Sequence, residues 1–299
     1  NNKKSIKLIQ PTSILTLCIM KILYILRIHY IFRLFVQRKK VSILLFHECD
    51  IEVFRKSIIY FKKHYSIISL NDYINNKINR KFKKPYLILT FDDGCASNYQ
   101  LLETIINYKI PVTIYIINNY MESNIPFWWN IKTFRSSYVN YLKTVSNKKR
   151  LSIIDNELSS TSDLNNQDHL SIKEITEMLP FVDFQSHTLS HPILTKCSKN
   201  TIEKEIVLSK KLLNTILKKD IVHFAYPNGN YNSNIINILK DANYKSAVTV
   251  NHGFNDIKPI SNFELNRILI GDGTEYYIVI TSASGAYASI KKMFMGIFK

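Results

Sequence analysis

Glycine is scarce in this 299-residue chain, with seven residues, and cysteine is scarcer, with four. No Gly-rich phosphate loop is present and nothing repeats along the chain, which removes nucleotide-loop and repeat architectures from consideration. Cys18, Cys49, Cys95 and Cys197 lie far apart and form no C-x-x-C pair. They supply neither a thiolate zinc site nor a disulfide framework, and Cys49 and Cys95 read as small buried or half-buried thiols. Acidic residues are missing altogether from positions 1–40, where nine Lys and Arg account for nine of the seventeen surplus positive charges. The remaining excess is spread over a chain rich in Lys, Asn and Ile with no RNA- or DNA-binding motif, so a nucleic-acid partner is not expected. A simple membrane span is absent too. The segment TSILTLCIMKILYILRIHYIFRLFV is broken by Lys21, Arg27 and Arg33 before it reaches the roughly 18 charge-free residues a span requires.

That first segment stands apart from everything after it. Projected on one continuous helix, its three cations point about 120° apart, so it is not a clean amphipathic helix. A basic start before a short apolar stretch is also what a signal sequence has, but no small-residue cleavage site follows. The preferred reading is a basic, apolar arm over residues 1–40 lying at a membrane surface with its cations snorkelling toward headgroups. A signal or anchor segment and a helix packed on the domain are the other two readings. Residues 41–299 are then the main domain, held at that membrane surface.

From residue 41 the pattern turns regular. VSILLFH reads as a buried strand ending at His47, and Ile51, Phe54, Ile58, Phe61 and Tyr65 mark one face of a helix. The strand carrying TFDDG, the strand PVTIYII, FVDFQSH, IVHFAYP, KSAVTV and FELNRILI follow, with helices between them. The stretch from about 118 to 170 is polar and reads as an insertion. Strands alternating with helices imply parallel pairing in an α/β barrel or a large open sheet. In such folds chemistry gathers at the carboxyl ends of the strands.

Residues 87–97, LILTFDDGCAS, end a buried strand on two adjacent carboxylates. Asp92 and Asp93 repel each other, so at a protected site one needs a cation and the other a proton or a basic partner. His47, His187, Tyr226 to Gly229 and Arg267 also lie at or just past predicted strand ends. His187 and His191 are four apart in SHTLSHP, a spacing that puts both imidazoles on one side of a helical turn. Two histidines and a carboxylate with open positions suit a divalent metal that binds and activates water.

TFDDG (90–94), SHTLSHP (186–192), AYPNG (225–229) and the Arg of LNRILI resemble, in order, the motifs of the polysaccharide deacetylases, carbohydrate esterase family 4 with its NodB-homology domain. The resemblance covers roughly residues 41–275. It implies a distorted (β/α) barrel and removal of acetyl groups from N-acetylated sugars. It also implies Asp92 as catalytic base and Asp93, His187 and His191 as ligands of one divalent ion, zinc first, with cobalt, nickel or manganese as alternatives. Tyr226, Pro227, Asn228 and Gly229 fall on the third motif, where the Asn228 N–H would help hold the oxyanion. Two departures matter. Ala225 stands where that motif usually has an Arg, leaving Arg267 to orient the catalytic Asp, and no histidine follows His252 to serve as the usual C-terminal general acid. His47 resembles the general acid of the permuted subgroup, whose His motif lies on the first strand.

The expected function is therefore metal-dependent N-deacetylation of a cell-surface or envelope polysaccharide or its lipid-linked precursor. The alternative is a non-catalytic glycan-binding protein on the same fold. Trp128 and Trp129 leave two readings open, stacking on sugar or plugging a core edge. His223 reads as a packed histidine, and His169 and His252 as loop residues. ASIKKMFMGIFK at the C-terminus either covers an edge of the barrel or meets the same membrane as the arm.

Overall fold

Strands buried on both faces need no polar alternation, and the chain's aliphatic runs meet that condition. The computed structural model describes residues 14–78, 84–121, 123–160 and 168–290. It contains β1 (Lys40–Phe46), β2 (Ser66–Ile67), β3 (Tyr86–Phe91), β4 (Val112–Ile116), β5 (Asp183–Ser186), β6 (His223–Ala225), β7 (Ser246–His252), β8 (Asn255–Asp256) and β9 (Leu265–Leu269). The sheet order is β2-β3-β4-β5-β6-β7-β9-β1-β8, and β1 also pairs with β3. That pairing closes seven strands into the distorted (β/α) barrel expected from the alternation. The helices are α1 (Ile14–Ile25), α2 (Ile28–Phe35), α3 (Ile51–His64), α4 (Leu70–Ile74), α5 (Leu102–Tyr108), α6 (Ser136–Leu142), α7 (Asn147–Ser160), α8 (Ile172–Met178), α9 (Lys199–Leu217), α10 (Ser233–Asp241) and α11 (Tyr276–Ala283).

Two compact units share the chain. The first holds residues 1–91, 100–113 and 248–299. Here β1 runs parallel to β3 with Phe46 opposite Phe91, and the two rings stack at 5.0 Å. Asp50 caps α3 by accepting from the Val53 N–H, and the helix buries Phe54, Ile58 and Phe61. Left-handed Arg27 (φ 56°) separates α1 from α2, so the continuous-helix projection of the first segment does not apply. Met20 and Leu23 of α1 pack with Ile278 and Tyr287. Arg33 is buried rather than snorkelling, donating to the His64 carbonyl at 3.0 Å with its guanidinium 4.7 Å from the Tyr30 ring. Residues 1–13, 79–83 and the C-terminal stretch 291–299 lie outside the described residues.

The second unit holds residues 92–99 and 114–247. Ser198 caps the 19-residue α9, whose buried face carries Ile202, Glu205, Ile206, Ser209, Leu213 and Leu217. The 118–170 stretch departs from the loop-like insertion its composition predicts. It folds α6 and α7 around Trp128, Ile131, Val139, Leu142 and Ile154, a small core whose members are too widely spaced in sequence to show as one amphipathic period. A second difference is α11, an apolar helix whose uniform hydrophobicity leaves no periodic stripe to read.

Candidate metal centre

Each site residue of the second unit leaves a strand through a tight, left-handed turn. After β3 the chain passes through Asp93 (φ 68°) and Gly94 (φ 71°). A Cβ on Gly94 would lie 2.7 Å from Ile116 Cγ2, so the turn requires glycine for space as well as for conformation. After β5 come His187, left-handed Thr188 (φ 71°) and left-handed His191 (φ 54°). This corrects the helical-turn expectation. Residues 187–191 form no helix, and the two imidazoles meet because the loop folds back, with the His191 N–H donating to Thr188 Oγ1 at 3.0 Å. Left-handed non-glycine residues cost about 1–3 kcal/mol each and persist where the surrounding structure over-determines them.

The resulting geometry brings three of the expected residues together. His187 Nε2 lies 3.3 Å and His191 Nε2 3.5 Å from the same oxygen, Asp93 Oδ1, and all three side chains are buried. Zinc–nitrogen and zinc–oxygen bonds of about 2.1 Å in a tetrahedron separate neighbouring donor atoms by about 3.4 Å. The observed spacing fits such an ion. Among the described residues this is the one cluster of three metal-type donors. His187 is also held from behind, its Nδ1 2.8 Å from the Ala225 carbonyl, which fixes the tautomer that presents Nε2 forward.

Electrostatics agree with a cation site. Burial alone pushes the His187 imidazole down, but the Asp93 hydrogen bond, the Asp92 charge and the Ala225 carbonyl outweigh it and leave its pKa raised. Burial drives His191 well below the ordinary value despite Asp93, with His187, Arg150 and Lys143 adding to the fall. Burial thus favours the neutral form of His191, the form that can ligate a cation.

Glu205 is the residue sequence reasoning missed. From α9 it accepts from the Leu189 N–H (2.9 Å), the Ser190 N–H (3.0 Å) and Ser190 Oγ (2.6 Å), tying down the loop between the two histidines. Its place on the same helix face as Ile202, Ile206 and Ser209 is its one sequence signal.

The third motif forms a 3₁₀ turn over Pro227–Gly229 with Asn228 left-handed (φ 54°) and exposed. Tyr226 is buried and stacks on Tyr231 at 4.9 Å. The carbonyl of Ala225, which opens this motif, meets His187 and so ties the turn to the Asp93, His187 and His191 cluster. Asp92 is buried beside them and raises the His187 pKa. In the first unit, His47 follows β1 and is half-buried. Arg267 is buried on β9, its Nε donating to the Thr249 carbonyl at 2.7 Å and its Nη1 to Thr90 Oγ1 at 3.3 Å. Of the other histidines, His223 is packed as expected, with Nδ1 2.8 Å from Ser246 Oγ and a pKa lowered to about 4 by burial. His252 instead ends β7, and His169 is buried in a bridge to Cys95.

Known proteins resemble this chain. The sequence profile of the family described as Polysaccharide deacetylase matches residues 79–247. A Poly-beta-1,6-N-acetyl-D-glucosamine N-deacetylase of Staphylococcus aureus is 25% identical over 240 residues, 76% of this chain and 69% of the relative. A putative polysaccharide deacetylase of Bacillus subtilis is 22% identical over 216 residues, 72% of this chain but only 60% of the relative's length. Among solved structures, the Streptococcus pyogenes deacetylase PplD in complex with acetate has the same fold, with a TM-score of 0.60 at 21% identity over 82% of this chain and 98% of that one. IcaB from Ammonifex degensii superposes with a TM-score of 0.59 at 15% identity, over 83% and 98%.

Proposed function

The chain belongs to the polysaccharide deacetylase family, and on that premise we propose that it hydrolyses the N-acetyl groups of N-acetylated sugars in a cell-surface or envelope polysaccharide or its lipid-linked precursor. The observation that carries the reading is the buried Asp93, His187 and His191 set, with donor spacings of 3.3 and 3.5 Å. A divalent ion held there, zinc in the first instance, supplies a water of lowered pKa and polarises an amide carbonyl. Asp92 takes the water's proton as general base. The Asn228 backbone N–H donates to the oxyanion of the tetrahedral intermediate, a contribution whose loss typically costs 10²-fold or more. His47 gives a proton to the leaving amine, so that the sugar departs as a neutral amine. Arg267 orients Asp92. Its hydrogen bond reaches Thr90, two residues before Asp92, and Phe46 and Phe91, the residues before His47 and Asp92, pair in register.

The S. aureus relative's name supports an envelope glycan as substrate. Membrane contact is proposed through residues 1–40. Ile22, Ile25, Leu34 and Phe35 on α1 and α2 and Leu26 in the turn between them are exposed, while Lys21, Arg27, Arg38 and Lys39 are exposed cations nearby in sequence. No helix among the described residues is long and apolar enough to cross a membrane. An apolar face with basic residues and no acid in the segment suits an anionic surface.

The test is acetate release from a panel of N-acetylated glycans by chelated protein given back Zn²⁺, Co²⁺, Mn²⁺ or Ni²⁺. Metal-restored release from at least one glycan supports the reading. Glycan binding without release under any metal selects the non-catalytic alternative.

A further inference from the structure

The adjacent tryptophans of the 118–160 segment do different work. Trp128 is buried among Ile131, Val139, Leu142 and Ile154, with the Arg150 guanidinium 5.0 Å from its ring. Trp129, one residue on, is only half-buried. One face of its indole lies flat on Phe127 (4.7 Å, 10° between planes), and its ring stands 4.5 Å from that of His191, tilted by 54°. The 3₁₀ turn that carries it is clamped. The Asp168 carboxylate accepts from the Phe127 N–H at 3.0 and 3.1 Å and from Asn130 Nδ2 at 2.7 Å, and Tyr120 Oη accepts from the Trp128 N–H at 3.2 Å.

Trp129 packs against the cores around Trp128 and Phe127, but packing alone does not require an indole held beside a metal-type histidine with part of its surface left to solvent. We propose that Trp129 is a substrate-binding platform that takes the apolar C–H face of an N-acetylated pyranose and so sets which sugars reach the metal ligands. The inference rests on the deacetylase reading and names its sugar-contacting residue. Stacking suits the task because a pyranose presents axial C–H bonds to an aromatic face while its hydroxyls stay at the rim. The clamp matters because a platform already fixed by Asp168 and Phe127 loses little freedom when sugar binds.

Trp128 and Trp129 are the chain's two tryptophans, so Trp128→Phe leaves Trp129 as a single reporter. Titrating that chelated full-length variant with an N-acetylglucosamine oligomer should give a saturable change in fluorescence. With metal restored, Trp129→Ala should raise KM about tenfold with kcat within a few-fold of wild type and metal content unchanged, and Trp129→Phe should recover most of the loss. An unchanged KM with a flat titration overturns the platform. So does a Trp129→Ala protein that loses its metal or loses kcat at constant KM, since Trp129 would then be packing support for His191. A saturable titration by a protein that releases no acetate upholds the platform and rejects the deacetylase reading alone.

Discussion

The metal-type cluster and the first two helices break the ordinary burial rule in opposite directions. Asp93, His187 and His191 are polar and buried, whereas Leu26 is 62% and Phe35 80% exposed. Each costs something on its own. Buried polar groups need a compensating partner, and exposed apolar surface gives up roughly 1.5–3 kcal/mol per large side chain that burial would have supplied. Neighbouring residues show that the sequence could obey the rule. Met20 and Leu23 are buried on the same helix that exposes Ile22 and Ile25, and β3 is buried from Tyr86 to Phe91 before the two aspartates. The proposed function assigns each departure a partner from outside the chain, a cation to the buried cluster and a membrane surface to the exposed apolar residues.

The comparison is broken most sharply by removing proton chemistry while leaving the buried cluster intact. His47→Ala should lower kcat by about 10²-fold with metal content preserved and remove the high-pH limb of the rate profile, because only a protonated imidazole can donate to the amine. Arg267→Ala should move the acid limb upward, since losing a nearby positive charge disfavours the carboxylate that serves as base. A His47→Ala enzyme with normal kcat and profile would transfer the acid's role to another group.

Support around the cluster should matter next. Glu205→Ala removes three acceptor contacts from residues 189–190 and should weaken metal binding by 10- to 100-fold in a competition titration, with Glu205→Gln falling between it and wild type. Equal affinity in all three proteins would mean that the left-handed loop holds itself.

Sequence legibility divides along the same physical lines. β1 and β3 were readable because a strand buried on both faces is a run of apolar residues, and the cluster was readable because carboxylate pair and His spacing are chemical signals that survive without coordinates. The form of the His loop was not, since a spacing of four fits a helical turn and equally a loop bent by Thr188 and His191. Glu205 was hidden by its setting, for a helix-period scan registers its apolar neighbours Ile202 and Ile206 and does not tell the buried Glu205 from the nearby Glu203. Nor could periodicity resolve Trp128 from Trp129, because their difference lies in contacts with residues up to 62 positions away along the chain, at His191.

Acid should act on the fold more gently. His223 has a pKa lowered to about 4 by burial, so its neutral form is favoured on folding and the unfolded chain takes up the proton first. Its contribution is complete above about pH 6.5 and falls as pH drops toward 4. Thermal unfolding across that window should show a loss of stability that His223→Leu reduces, and an identical slope in both proteins would remove His223 from the account.

The smallest effect on chemistry should come from the exposed apolar face. Replacing Ile25, Leu26 and Phe35 together by Ser should cut sedimentation with anionic vesicles about tenfold or more, while deacetylation of a soluble oligosaccharide and thermal stability stay near wild type. Point changes are preferable to deleting residues 1–40, which would also uncover Ile278 and Tyr287. Unchanged vesicle binding would leave the exposed face without its proposed partner.

Metal content is the direct measure of the central claim, that the buried Asp93, His187 and His191 set exists to hold one divalent ion. Elemental analysis of purified wild type and His187→Ala, each dialysed against limiting zinc, should give close to one equivalent in the first and little in the second, with acetate release falling at least about 100-fold. Equal metal in the two proteins, or acetate release undiminished in the one without metal, would contradict it.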